Sequence, residues 1–142
     1  MPRKLPKHSE LVISFLSNSL PKKWKIKAIN NLTEEEVYKT LERSKIFLAF
    51  SDLEGLPLPP IEAAIAGNKV IGYTGEGGKE YWKEPIFTEI KTSEIKLFCQ
   101  TIIKKIKIKK FINKTHHQRK QLFNKFSTLN ERQSIRKFLK KI

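Results

Sequence analysis

Apolar positions along the chain switch repeatedly between helical and strand spacing. In "HSELVISFLSNSL", Val12, Ile13, Leu16 and Leu20 share one side, which predicts a helix capped by Ser9. "KWKIKAIN" alternates Trp24, Ile26 and Ala28 with lysines, the pattern of a half-exposed or edge strand. "NLTEEEVYKTLERS" places Thr33 and Glu36 at capping-box spacing ahead of an apolar stripe of Val37 and Leu41. "KIFLAFS" is almost continuously apolar, as a parallel strand covered on both faces should be. A helix is predicted from about Pro60 to Ala66, stopped by Gly67. "KVIGY" reads as a second buried strand, "PIFTEI" as a weaker one, and a long helix follows from about Ser93. Beyond Lys110, "FINKTHHQRKQLFNKFS" and "TLNERQSIRKFLKKI" are both helical in pattern. The second has Thr128 and Glu131 at capping-box spacing and Ile135, Phe138, Leu139 and Ile142 on one face.

Strands and helices alternating through short links predict an α/β fold, a Rossmann-like parallel sheet of about four strands with flanking helices and a C-terminal helical tail. That is fewer strands than a complete dinucleotide-binding domain carries, and no internal repeat is visible. The expected organisation is a domain over residues 1–110 and a basic helical tail over 111–142 that packs on the domain or on a partner.

Hydrophobic residues make up 39% and charged residues 30% of the 142, ordinary values for a soluble domain. "LVISFL" is far too short to span a bilayer and lacks a signal-peptide layout, so a cytoplasmic protein is expected. The single cysteine, Cys99, falls at helical spacing with Ile95, Phe98, Ile102 and Ile106, the place of a structural thiol rather than a nucleophile. Charge is divided unevenly. Residues 1–90 hold 13 Lys/Arg and 12 Asp/Glu; residues 91–142 hold 16 Lys/Arg and only Glu94 and Glu131. A basic tail can face nucleic acid or the anionic inner surface of a membrane. However, 24 of the 29 basic residues are lysine, a profile that biased codon usage alone would produce. The tail's phenylalanines fit helical core spacing rather than the stacking pattern of an RNA-binding sheet, which disfavours nucleic acid.

The chemistry concentrates in "DLEGLPLPPIEAAIAG", Asp52 to Gly67, where Glu54 and Glu62 stand eight positions apart around three prolines. In open parallel sheets, ligands bind beyond the carboxyl ends of the strands, and Glu54 and Gly55 fall there. A carboxylate in the first helical turn, as Glu62 is expected to be, is favoured by the helix dipole by roughly 0.3–1 kcal/mol with no ligand at all. On spacing alone that bland reading outweighs a binding role. Helix-start amides suit a phosphate, however, and carboxylates accept strong hydrogen bonds from hydroxyls, a combination suited to a nucleotide-sugar. Gly75, Gly77 and Gly78 form neither G-x-G-x-x-G nor a P-loop and can simply mark tight turns. His8, His116 and His117 lack metal-ligand spacing, so no metal is expected.

"EGLPLPPIEAAIAGNKVIGYTGEGGKEYW" resembles the donor-binding C-terminal half of retaining glycosyltransferases built from two Rossmann-like domains, the GT-B architecture. That superfamily carries two glutamates separated by seven residues, around E-G-x-x-L-P-x-x-E-A-x-A-x-G. Glu54, Gly55, Pro59, Glu62, Ala63 and Gly67 match, while Leu56–Pro57–Leu58 replaces the usual small, glycine-rich spacing. The continuation resembles a bacterial subgroup with a glycine-rich turn and an acidic-aromatic pair, here Glu80 and Tyr81. The resemblance implies that Glu54, Gly55 and Leu56 meet the donor sugar and Glu62 the ribose. Pro57 and Leu58 would face the diphosphate, helped by Arg3 and Lys4, and Gly75, Gly77 and Gly78 would line the donor side. The base would lie near "INNLT". No cofactor is implied beyond the nucleotide-sugar donor substrate, and no catalytic residue is assigned. The acceptor site would belong to a separate N-terminal domain, and the basic tail would offer peripheral membrane contact. Two readings compete: a non-catalytic basic module for nucleic acid or an anionic membrane surface, and a Rossmann-like regulatory domain with an unrelated ligand.

Overall fold

A computed structural model describes residues 5–108 and 115–139, with side chains as far as Ser127. Three parallel strands, β1 (Ile46–Glu54), β2 (Lys69–Glu76) and β3 (Phe87–Glu89), form one sheet in the order β1-β2-β3. Five helices accompany them: α1 (Pro6–Ser17), α2 (Glu34–Arg43), α3 (Leu58–Ile65), α4 (Ile95–Lys107) and α5 (His116–Leu139).

The near-continuous apolar strands are explained by burial on both faces. Ala49, Val70 and Phe87 pack in one core with Ile61, Ala63 and Ala64 of α3 and Leu122 and Phe126 of α5. Phe50, Ile71 and Tyr73 pack in a second core with Val12 and Leu16 of α1 and Phe98 and Ile102 of α4. Cys99 lies half-buried beside Ile102, its thiol pushed up by burial, which suits packing rather than nucleophilic chemistry. The parallel α/β arrangement with helices on both faces is the expected fold class.

Several boundaries differ from the sequence expectation. The Trp24–Asn30 stretch forms no strand, leaving three strands among the described residues rather than four. Its alternation has no face to bury. Ile26 and Ala28 are exposed, and the half-buried residues, Trp24 and Ile29, have opposite parity and could not share one strand face. Helix α1 starts at Pro6 rather than after Ser9, since proline is favoured in a first turn; Ser9 is buried and its hydroxyl donates to the Pro6 carbonyl at 2.8 Å. The tail is one helix running through Thr128, so no helix begins there for a Thr128–Glu131 box to cap. The apolar face from Ile135 to Ile142 lies outside the described side chains. The capping box at α2 forms as expected: the Glu36 amide donates to Thr33 Oγ1 at 3.3 Å and the Thr33 amide to Glu36 Oε2 at 2.8 Å.

Two long-range polar contacts stitch the lower end of the sheet. Asn68, fully buried, donates from Nδ2 to the Leu41 carbonyl at 2.8 Å and to the Ala63 carbonyl at 3.1 Å. Arg119 of α5 donates to the carbonyls of Ala64 at 2.7 Å, Gly67 at 3.0 Å and Asn68 at 3.3 Å, and also to Thr115 Oγ1. A guanidinium thus caps the C-terminal end of α3, where the negative end of the helix dipole favours a cation, and it shares the Ala64 carbonyl with the Gly67 amide, which donates at 3.1 Å. Replacing Arg119 with Leu removes the guanidinium's hydrogen bonds to these carbonyls and is expected to lower unfolding free energy by about 2 kcal/mol. Urea denaturation measures this, and an unchanged midpoint would show that water caps α3 equally well.

Candidate functional site

Strands β1 and β2 pair in regular register from Ile46–Lys69 to Ser51–Thr74, then slip, so that Glu54 comes opposite Glu76. The slip bends the end of β1 and delivers Glu54 and Gly55 at the carboxyl edge of the sheet. Glycines on β2 and just past it make this possible. A Cβ on Gly75, whose φ is +64°, would lie 2.6 Å from the Asp52 carbonyl oxygen. One on Gly77 would lie 1.6 Å from the carbonyl oxygen of Gly55 and 2.6 Å from that of Glu54. Both positions therefore require glycine for close backbone approach. A Cβ on Gly78 would lie 3.3 Å from the Trp82 ring, tighter than ordinary contact, and 3.5 Å from Pro57. The glycine-rich turn, Gly77–Glu80, is a short 3₁₀ helix seated directly on the Glu54–Gly55 backbone.

The loop from Gly55 turns its apolar side chains inward. Leu56 and Leu58 pack against the core that contains Ile61 and Tyr81, and Pro57 is fully buried. Tyr81 Oη donates to the Pro57 carbonyl at 2.7 Å in a buried hydrogen bond. Burial, followed by the nearby charges of Glu54 and Glu80, raises the Tyr81 phenol far above its ordinary range, so it stays a donor. Tyr81 is the residue that sequence reasoning passed over: it was visible only as half of an acidic-aromatic pair, and its partner is distant in sequence.

Helix α3 begins at Leu58, earlier than expected, and Glu62 is its fifth residue. This corrects the expectation of a first-turn carboxylate, and it removes the bland explanation, because the dipole effect fades beyond the first turn. The surroundings act in the opposite sense. Burial first, and the charge of Glu34 at the start of α2 second, raise the Glu62 pKa. Among the described residues, the Glu62 carboxylate forms no hydrogen bond or ion pair. Half-buried, it retains access to solvent.

The early start also limits the amides. The four N–H positions without helical partners are residues 57–60, and three of these are proline, so Leu58 alone offers an N–H there. Pro57 has none to give a phosphate. The site thus unites Glu54, Gly55, Leu56, Pro57 and Leu58 with Gly75, Gly77 and Gly78, while Glu62 stands one turn into α3 beside Glu34. Arg3 and Lys4 lie outside the described residues. Among the described residues no group of three or more His, Cys, Asp or Glu could hold a metal, and no helix is long and apolar enough to cross a membrane. His116 and His117 are exposed on α5.

No family model and no solved structure matches the chain. Three curated proteins share a short stretch with it. "Putative glycosyltransferase 41" of Sulfolobus islandicus filamentous virus is 49% identical over 49 residues, 34% of this chain and 15% of that protein. "Putative glycosyltransferase ORF330" of Acidianus filamentous virus 2 is 40% identical over 52 residues, 37% of this chain and 16% of that protein. An alpha-1,6-glucosyltransferase of Actinobacillus pleuropneumoniae is 43% identical over 47 residues, 33% of this chain and 14% of that protein. The chain therefore spans only a small part of the length of each relative, and it contains a glycosyltransferase-like region.

A carboxyl with a raised folded-state pKa binds its proton more tightly folded than unfolded, so ionising it costs stability. The cost is absent below the unfolded carboxyl pKa of roughly 4.3 and grows as pH rises to the folded value. Glu62→Gln should accordingly stabilise the protein at pH 7, with the gain shrinking toward zero as pH falls below about 4. Thermal unfolding of both proteins across pH 3.5–8 checks this; a Glu62→Gln protein no more stable at pH 7 would contradict it.

Proposed function

We propose that this chain carries the nucleotide-sugar donor site of a retaining GT-B glycosyltransferase, at the carboxyl edge of β1 and β2. The observation that carries the reading is Glu62, a half-buried carboxylate held at a stability cost with no hydrogen-bond or ion-pair partner among the described residues. Such an acceptor is matched by a ligand that brings hydroxyls. The short likenesses to glycosyltransferases point the same way.

In this reading Glu62 accepts hydrogen bonds from the ribose hydroxyls, and Glu54, with the backbone of Gly55 and Leu56, meets the donor sugar. The diphosphate lies against the amides of Gly55, Leu56 and Leu58, with Pro57 shaping the loop but donating nothing. Arg3 and Lys4 add positive charge there. Gly75, Gly77 and Gly78 line the donor side, where the close approach of Gly75 and Gly77 to the end of β1 holds Glu54 and Gly55 in place behind the sugar. The acceptor site belongs to a separate N-terminal domain, and sugar transfer requires that domain. The tail, residues 111–142, makes peripheral contact with an anionic membrane from the cytoplasmic side.

Calorimetry with nucleoside diphosphates and nucleotide-sugars tests the reading. Binding by the wild type is expected, weakened about tenfold or more by Glu62→Ala, the loss of a charge-assisted hydrogen bond of about 1.5–3 kcal/mol. No heat from the wild type with any such ligand, or equal affinity after Glu62→Ala, overturns it. Binding only to nucleic acid, with affinity falling steeply as salt rises, would instead favour the basic-module reading.

A further inference from the structure

A side-chain hydrogen bond from Tyr81 holds the Gly55–Leu58 loop. Among the described residues, no side chain other than Tyr81 donates to residues 55–58, and its bond reaches the Pro57 carbonyl from 24 residues away. Pro57 stands at the entry to α3, so this carbonyl marks the point where loop becomes helix. A shift there moves the Gly55, Leu56 and Leu58 amides together.

Tyr81 is in turn seated by α5. Its ring meets Phe126 edge-on at 5.7 Å and Phe87 at 5.2 Å. Two further contacts from α5 grip the same turn: Gln118 Nε2 donates to the Lys83 carbonyl at 2.9 Å, and Lys125 Nζ pairs with Glu80 Oε1 at 2.8 Å. The pair is solvent-exposed and adds little alone, but with Phe126 and Gln118 it aligns α5 along residues 80–83. Contact thus runs continuously from α5 through Tyr81 to the loop.

We propose that Tyr81 is a positioning residue of the donor loop, acting through the Pro57 carbonyl, and that α5 belongs to the site because it seats Tyr81. The inference rests on the donor-site reading above for its ligand but not for its geometry. Tyr81 touches no substrate in this scheme. It sets the spacing between the amides of Gly55, Leu56 and Leu58 and the carboxylate of Glu54, on which a fit to the diphosphate and sugar depends.

Tyr81→Phe keeps the ring and removes only Oη. Ile102→Val, in the opposite core, serves as a control that lowers stability without touching this contact. Backbone nitrogen order parameters are read by NMR on the ligand-free proteins, and nucleoside diphosphate affinity by calorimetry. In Tyr81→Phe, the order parameters of Gly55, Leu56 and Leu58 should fall from the rigid range of about 0.85 toward about 0.6 or less, with Val70 and Ile71 little changed, and affinity should fall about fivefold or more. Ile102→Val should alter neither loop order nor affinity. Unchanged loop order in Tyr81→Phe overturns the positioning role even if the wild type binds. An equal loss of affinity in Ile102→Val also overturns it, since general destabilisation would then explain the effect. If the loop loosens but the wild type binds no nucleoside diphosphate or nucleotide-sugar, the donor-site reading fails, and the role of Tyr81 in binding fails with it.

Discussion

The architecture depends on how closely β2 and its continuation can approach β1. Gly72, Gly75 and Gly77 lie where a Cβ would collide with the backbone at Ala49, Asp52 and Gly55 respectively, the first at 2.0 Å from the Ala49 carbonyl oxygen. With side chains there, the register could not hold along β1, and its end could not bend into the Glu54–Gly55 turn. Everything at the carboxyl edge follows: the glycine-rich turn settles on that backbone, Tyr81 comes within reach of Pro57, and α5 closes over both. Interior packing serves the same end, since helices cover both faces and leave the sheet's edges and strand ends as its open polar backbone.

Stabilising and destabilising contributions meet at α3. Its buried side, with Pro60, Ile61, Ala63 and Ala64, anchors it in the core, and Arg119 satisfies its far end. Glu62 lies within that apolar frame, where a neutral residue of equal size would be more comfortable. Helix α2 adds to the tension by opening on Glu34, Glu35 and Glu36, which favours its own start but places charge near Glu62.

Most of the fold was legible because burial on two faces leaves a strong mark: "KIFLAFS" and "KVIGY" are almost continuously apolar, and both are strands. Local rules succeeded where the partners are local, as at the Thr33–Glu36 box. They failed where tertiary context decides. The lysine-spaced Trp24–Asn30 stretch has the right period but no surface to cover, and Pro6 overrode Ser9 as the start of α1. At the site, the spacing of Glu54 and Glu62 and the glycine cluster could be read directly. The start of α3 shifted by two residues, which was enough to move Glu62 out of the first turn and change its meaning. Tyr81, Arg119 and Gly72 were not legible, since each acts on a backbone carbonyl in another element and leaves no periodic trace.

The three prolines at the entry to α3 have a consequence for whatever meets this loop. Pro57, Pro59 and Pro60 fix three of four successive φ angles before folding begins, and Tyr81 ties down the first of the three. The loop has therefore surrendered its freedom in the unfolded chain rather than on encounter, and little disorder is left for a ligand to remove. What it presents is a rigid edge, which fits few shapes and cannot mould itself around others.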